Sequence, residues 1–143
     1  MRERLAVLAA ALWWGSLSVI GFVAVPMLFA SAPTKALAGQ LAARLFTGQS
    51  WVSLGCGLLL LACARDEEGT PSLHWARGAL PWLLGGLLAA CLVEFGVAPR
   101  IVARQDLAFW HSLGSGLYAA QWACALVVLW KLTTRPAATR PVS

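Results

Sequence analysis

The chain has 143 residues, of which 59% are hydrophobic and only 12% charged, and its formal net charge is +5. An average soluble domain carries about 25% charged residues, so this chain lacks the polar side chains needed to cover a water-soluble fold. The composition therefore predicts one integral membrane domain. Its basic residues lie at segment ends, where they are expected to meet lipid headgroups rather than nucleic acid.

Four apolar stretches are long enough to cross a bilayer, because about 20 helical residues span a hydrocarbon core of roughly 30 Å. We predict an all-α fold, an integral membrane four-helix bundle in which residues 1–131 form a single four-span domain. The predicted spans cover about residues 5–29, 45–64, 79–98 and 107–130. The remaining residues, 132–143, include two arginines and two prolines, and we predict that they form a disordered cytoplasmic tail.

The first span is longer than the apolar region of a signal peptide, which has about 7–15 residues. We therefore expect it to be retained, although residues 30–32 resemble a cleavage site. Pro26 lies near its outer end, where a proline is expected to loosen the last turn and help to terminate the helix, and Pro99 is expected to end the third span. Between them, leucines recur every four residues over 37–45, which predicts a short amphipathic helix in the headgroup plane.

An eight-residue motif occurs twice. Residues 51–58 (WVSLGCGL) and 110–117 (WHSLGSGL) agree at six of eight positions, 59 residues apart. Pro26 and Pro99 form a second echo, because each follows a phenylalanine by four residues. The two echoes indicate an internal repeat: two tandem helical hairpins with the same orientation, which is a parallel pseudo-repeat about the membrane normal.

The small residues of this motif predict close helix packing, because helices in lipid approach each other through small side chains four residues apart. Ser112, Gly116 and Ala120 form one such stripe, and Ser53 and Gly57 begin the equivalent stripe in the second span. We expect both stripes to face the interior of the bundle. A large residue at Gly116 would then unfold or dissociate it.

The distribution of basic residues predicts the orientation in the membrane. Seven of them fall on the side of the termini and of the loop between the second and third spans, and four fall on the opposite side. The seven are Arg2, Arg4, Arg65, Arg77, Lys131, Arg135 and Arg140, and the four are Lys35, Arg44, Arg100 and Arg104. Loops rich in Lys and Arg tend to stay in the cytoplasm, so both termini are predicted to be cytoplasmic.

Two ionisable residues lie inside predicted spans, where such groups are unfavourable and commonly functional. Glu94 is five residues before Pro99, and His111 is about one turn into the fourth span. In the predicted topology they lie at similar depth near the outer face and could meet. Gln121 lies deeper in the fourth span, where an uncharged amide could tie helices together.

Three roles stay open for the pair Glu94 and His111. The first is a hydrogen bond or ion pair that clamps the two hairpins, and the second is an ion or proton pathway entering from the outer face. The third is a soft-metal, copper-like site with Cys91 and Met27 as weak additional ligands. The sequence contains no nucleophile–base pair, phosphate loop or zinc signature, so we predict neither an enzyme nor a bound cofactor.

Four segments occur in an unusual order: 21–29 (GFVAVPMLF), 38–46 (AGQLAARLF), 94–101 (EFGVAPRI) and 109–111 (FWH). In this order they resemble the transmembrane protein 205-like family, known in its bacterial branch as domain of unknown function 4149. The resemblance covers about residues 5–131. It implies a four-helix protein of the bacterial inner membrane, without an established biochemical activity. It also implies a histidine near the start of the fourth span, which His111 fits, and then often an amide, for which Gln121 comes late.

We therefore expect a structural or accessory membrane subunit, with the lipid bilayer and either a second copy or another membrane protein as partners. The alternative is a small transporter for an ion, a proton or a soft metal. Transport predicts a polar cavity that opens outward and is lined by Glu94 and His111. An accessory role predicts a closed bundle with an exposed small-residue face.

Overall fold

The computed structural model describes the backbone of residues 1–64 and 74–134. It describes the side chains of residues 1–64 and 78–134. The loop residues 65–73 and the predicted tail from residue 135 lie outside the described residues. Within the described ranges the chain is helical except for short turns at 32–34 and 103–106 and the end residues, and it has no strand. The predicted all-α fold is therefore confirmed.

Four helices are long and apolar enough to cross a membrane. They are α1 (Arg2–Ser31), α2 (Lys35–Ala64), α3 (residues 74–102, apolar over Gly78–Val102) and α4 (Leu107–Thr133). At 1.5 Å per residue each apolar helix exceeds the roughly 30 Å of a hydrocarbon core. The chain is thus a multi-pass membrane protein with a bundle of four transmembrane helices.

α1 and α3 each contain one π-helical turn, Ile20–Ala24 and Leu92–Val97. Each π-helical turn ends two residues before the proline of its helix, at Ala24 in α1 and at Val97 in α3. The residue that follows the turn donates its N–H to the carbonyl five residues back. Proline has no N–H, and its ring crowds the carbonyl four residues earlier; a wider turn relieves this conflict without breaking the helix. The prediction that Pro99 ends its helix is therefore wrong, because α3 continues to Val102. α1 ends at Ser31, five residues after Pro26.

α2 is one continuous helix from Lys35 to Ala64. The leucine pattern over 37–45 therefore does not form a separate helix in the headgroup plane, and that prediction is wrong. Ala38 and Ala42 in this part are 1% and 5% exposed, because the outer segment of α1, Val25–Ser31, packs against α2. The small residues between the leucines thus decide which face is buried.

The helices form a ring in chain order, in which α1 contacts α2 and α4, and α3 contacts α2 and α4. The hydrophobic core lies toward the end of the bundle that contains the N-terminus of α1. Its fully buried members are Ala6, Ala10, Trp13, Leu17, Leu60, Leu83, Ala125 and Val128. Trp13 reaches across the ring to α3, where a Cβ at Gly86 would lie only 2.7 Å from its Cη2 atom. A glycine at that position makes room for the indole.

Candidate functional site

The contacts between α3 and α4 fix the relative depth of Glu94 and His111. A Cβ at Gly114 would lie 3.1 Å from Val97 Cγ1, and the Arg100 guanidinium lies 4.5 Å from the centre of the Trp110 ring. This antiparallel register places Glu94 level with Gly116 and His111 level with Pro99. Five helical residues separate the two levels, which is about 7.5 Å along the axis.

Glu94 and His111 are also in different surroundings. Glu94 is half-buried in the second π-helical turn, whereas His111 is exposed on the surface of α4. No hydrogen bond or ion pair joins them within residues 1–64 and 78–134. The predicted clamp between the hairpins is therefore wrong, because the two side chains differ in depth and in exposure.

The weak soft-metal candidates are not brought together either. Across the described part of the chain, no three His, Cys, Asp or Glu side chains lie close enough to hold a metal ion. Met27 is 62% exposed on the outer segment of α1. The predicted set of ligands, Cys91, Glu94 and His111, is therefore not formed. The helix register that separates Glu94 from His111 keeps them from binding one metal ion together.

The polar side chains that do meet lie at mid-depth and are uncharged. Gln49 Nε2 donates to Ser16 Oγ at 3.0 Å and to Ser53 Oγ at 3.2 Å. Gln121 Nε2 donates to the same Ser53 oxygen at 2.7 Å. Ser53 is fully buried, and Gln49 and Gln121 are 2% and 3% exposed. We call these four residues the central polar network; it connects α1, α2 and α4.

A second set of hydrogen bonds joins α1 to α4 beside this network. The Tyr118 hydroxyl donates to the Leu17 carbonyl at 2.8 Å, and the Trp122 indole N–H donates to Ser18 Oγ at 2.8 Å. The Tyr118 ring lies directly on Gly21, where a Cβ would be 2.7 Å from Cε1. The Leu17 carbonyl also accepts from the Ile20 N–H just before the first π-helical turn, so the tyrosine adds a second hydrogen bond to it.

The central polar network lies near the midpoint of each helix that contributes to it. Ser16 is halfway along α1, Gln49 and Ser53 flank the middle of α2, and Gln121 is close to the middle of α4. Buried hydrogen bonds between membrane helices contribute about 0.6 kcal/mol on average, so the network fixes the register of three helices rather than dominating their stability. Amides and hydroxyls do not titrate at ordinary pH, so the network has no acid–base chemistry of its own.

The two copies of the repeated motif face opposite ways. In α2, Ser53 and Gly57 lie in the interior, and a Cβ at Gly57 would overlap the Leu87 side chain of α3. In α4, Ser112, Gly116 and Ala120 are all exposed, and no atom lies within 4 Å of a Cβ at Gly116. The prediction that this α4 stripe faces the interior is therefore wrong.

The rotation of α4 explains this difference. Tyr118, Gln121 and Ala125 bond or pack toward α1 and the core. At 100° per residue, Gly116 lies on roughly the opposite side of the helix from these three. The large polar side chains, rather than the small ones, thus select the buried face of α4.

Sequence reasoning identified Gln121 and also Ser53, which it assigned to helix packing, but it missed Gln49 and Ser16. Gln49 and Ser16 carry a signal that was available, because uncharged polar residues near the middle of apolar spans tend to hydrogen-bond across helices. The contact between Tyr118 and Gly21 has no such signal. It depends on the π-helical turn, which the sequence did not predict.

The fold and this arrangement define a class: a multi-pass membrane bundle whose polar residues join its own helices at mid-depth. The chain belongs to the family described as Domain of unknown function (DUF4149), whose model matches residues 8–109. The match ends at the start of α4, so Tyr118 and Gln121 lie beyond it. No curated protein and no solved structure is significantly similar to the chain. The likeness to transmembrane protein 205 stays a resemblance.

Proposed function

We propose that this protein is a structural or accessory subunit of the bacterial inner membrane, without enzymatic activity, and that it associates with a second copy of itself through α4. The observation that carries the proposal is the orientation of its polar and small residues. The residues of the central polar network hydrogen-bond to one another inside the bundle. The small residues of α4 face outward. This combination favours lateral packing over passage of a solute.

The grooves on the surface support this choice. One groove of about 440 Å³ lies along α1 beside Gly15 and Ser16, and another of about 370 Å³ lies between α1 and α2 beside Gly55. Both are lined almost entirely by apolar side chains, and neither includes Glu94 or His111. A transport pathway through that pair would need a polar cavity beside them, and no observation favours one.

The α2 copy of the motif indicates what the α4 copy would accept. Gly57 lets the branched side chain of Leu87 approach the α2 backbone closely, which is how small residues promote helix association in lipid. The stripe of Ser112, Gly116 and Ala120 offers the same kind of surface, and it is uncovered. Two such stripes related by a twofold axis along the membrane normal would allow close approach from both sides, as in an isologous dimer.

The proposed topology has both termini in the cytoplasm and two hairpins of the same orientation. Seven basic residues against four favour this orientation. The π-helical turns of α1 and α3 support the repeat, because they begin 72 residues apart while their prolines are 73 apart. A reporter placed at either terminus that reads a periplasmic position would contradict the topology.

The dimer is tested with Gly116→Leu, assayed by native mass spectrometry in mild detergent and by cross-linking in membranes. Gly55→Leu is the matched control, because Gly55 is also exposed with open space around its Cβ position. We expect the wild type and Gly55→Leu to be dimeric and Gly116→Leu to be monomeric with an unchanged unfolding temperature. A dimer that persists in Gly116→Leu would refute the role of α4. A wild-type monomer bound to a different protein would refute self-association.

A further inference from the structure

The turn between α3 and α4 holds two arginines on one helix cap. Its residues, 103–106, join the ends of two apolar spans and therefore lie at a membrane surface. The Arg104 N–H donates to the Ile101 carbonyl at 3.0 Å, and the Gln105 N–H donates to the Arg100 carbonyl at 3.0 Å. These two bonds form a Schellman motif, which ties Arg104 to the last turn of α3. Two positive charges are therefore held on one turn of backbone.

Arg104 occupies the position of this motif at which glycine is the usual residue. Its φ is 54°, a left-handed conformation that is unfavourable for residues with a side chain. Its backbone N–H contributes to the cap, but its guanidinium forms no hydrogen bond or ion pair with any side chain that the structure describes. The chain thus has a long cationic side chain where glycine would be more stable. This favours a role for the guanidinium in binding a molecule outside the fold.

Arg100 is held in a defined orientation on the same cap. Its guanidinium lies 4.5 Å from the centre of the Trp110 ring, and its Nη1 donates to the Gly96 carbonyl. A guanidinium has five N–H donors in a planar fork that matches two oxygens of a phosphate. Arg100 is exposed, so the donors that do not contact Gly96 are available. The residue therefore presents an oriented set of donors to an anion at the membrane surface.

The surroundings of the two arginines indicate which anion fits. Residues 100–110 contain two arginines and one aspartate, and the Asp106 carboxylate accepts from the Phe109 N–H at the start of α4. Val102, Leu107 and Phe109 are 73%, 47% and 55% exposed. Apolar side chains beside basic ones are typical of surfaces at the boundary between lipid headgroups and acyl chains. This combination fits a phosphate attached to acyl chains better than a free phosphate ion.

We propose that the turn between α3 and α4 binds the phosphate of an anionic phospholipid, with Arg100 and Arg104 as the donors. Trp110 orients Arg100, and the exposed apolar side chains of the turn contact the acyl chains. The net positive charge of the turn favours an anionic headgroup over a neutral one. The site uses none of the small residues of α4 through which the dimer is proposed to form, so it is independent of the proposed function.

The test is native mass spectrometry of the purified protein in mild detergent, titrated with dioleoylphosphatidylglycerol. Two comparison ligands are used: dioleoylglycerol, which has the same acyl chains without a phosphate, and inorganic phosphate. We expect the phospholipid to bind more tightly than dioleoylglycerol, and inorganic phosphate not to displace it. Equal binding of the two lipids would overturn the inference. Displacement by inorganic phosphate would overturn the assignment of the ligand as a lipid.

Arg100→Gln and Arg104→Gly test whether the lipid binds at this turn. Each variant loses one positive charge, and a basic residue near an anionic membrane surface contributes about 1 kcal/mol. Each should therefore bind dioleoylphosphatidylglycerol about fivefold more weakly than the wild type. Arg44→Gln is the matched control, because Arg44 is also an exposed arginine but lies on α2, and it should bind as the wild type does. Wild-type affinity in either variant of the turn, or an equal loss in the control, would contradict the site.

Arg104→Gly also separates binding from folding. Glycine adopts a positive φ without strain, so this variant should unfold at the same temperature as the wild type or at a higher one, although it binds the phospholipid more weakly. A structural role of the arginine would instead lower the unfolding temperature. That result would overturn the assignment of Arg104 to lipid binding.

Discussion

Alanine substitutions at the adjacent glycines Gly85 and Gly86 test whether Trp13 fills the space between the helices. A Cβ at Gly86 would lie 2.7 Å from Trp13 Cη2 and 3.2 Å from Cys124 Cβ. Trp13 is fully buried, so its rigid indole has no free space to move into and α3 must shift. At Gly85 the nearest atom is Cys124 Sγ at 3.7 Å, which is an ordinary contact.

The expected size of the effect follows from the comparison of the two sites. Both substitutions replace a glycine inside a helix by alanine, and both gain about 0.5–1 kcal/mol of helix stability. Only Gly86→Ala introduces atoms into a filled core, which typically costs about 1–3 kcal/mol. The gain cancels when the variants are compared, so Gly86→Ala should be the less stable by about 1–3 kcal/mol.

The assay is reversible unfolding of the purified protein in mild detergent by titration with a denaturing detergent, followed by circular dichroism. Equal stability of the two variants would refute the reasoning, because it would mean that the Trp13 ring does not clash with a Cβ at position 86 of α3. A second variant checks the cause. Trp13→Phe has a smaller ring, so Gly86→Ala should cost less in that background than in the wild type.

Three further predictions concern the polar side chains. Ser53→Ala removes the acceptor shared by Gln49 and Gln121, so it should destabilise the bundle by about 1–3 kcal/mol, and a cost that simply adds to that of Gln121→Leu would contradict the network. Tyr118→Phe removes the bond to the Leu17 carbonyl and should cost about 0.5–1.5 kcal/mol in the same unfolding assay. Glu94→Gln and His111→Ala should show no coupling in a double-mutant cycle, and a coupling energy above about 0.5 kcal/mol would reinstate their contact.

The number of helices could be predicted from the sequence because it depends on length and hydropathy alone. Each span is a long apolar run. In a bilayer such a run forms a helix, because a helix satisfies its backbone hydrogen bonds within the segment. The helix ends were less accurate at the prolines. Pro99 was expected to stop its helix, but the π-helical turn before it lets the helix continue to Val102.

The face that each helix buries could not be read from small residues alone. Gly57 and Gly116 stand at equivalent places in the same motif, yet one is buried and the other exposed. The difference arises from longer side chains elsewhere on α4, since Tyr118 and Gln121 find partners only when they point inward. A partner on another helix is a tertiary fact, and a single sequence does not contain it.

The candidate site failed for a similar reason. Depth counted from the nearest helix end placed Glu94 and His111 together. α4 begins at Leu107 as predicted, but α3 extends past its predicted end to Val102 and contains an extra residue in its π-helical turn. These shifts separate the residues by more than one turn. Uncharged Gln49 and Ser16 attracted no notice in the sequence, although they belong to the best-connected polar group in the described structure.

The outward turn of only one motif copy has a consequence for stoichiometry. A molecule with one surface for self-association can bind one other copy through it, so assembly stops at the dimer. If Gly57 were exposed as Gly116 is, each molecule would have two surfaces for self-association. Copies could then form linear assemblies of unlimited length within the bilayer. In the proposed dimer, the burial of Gly57 against Leu87 would therefore limit the assembly to two copies.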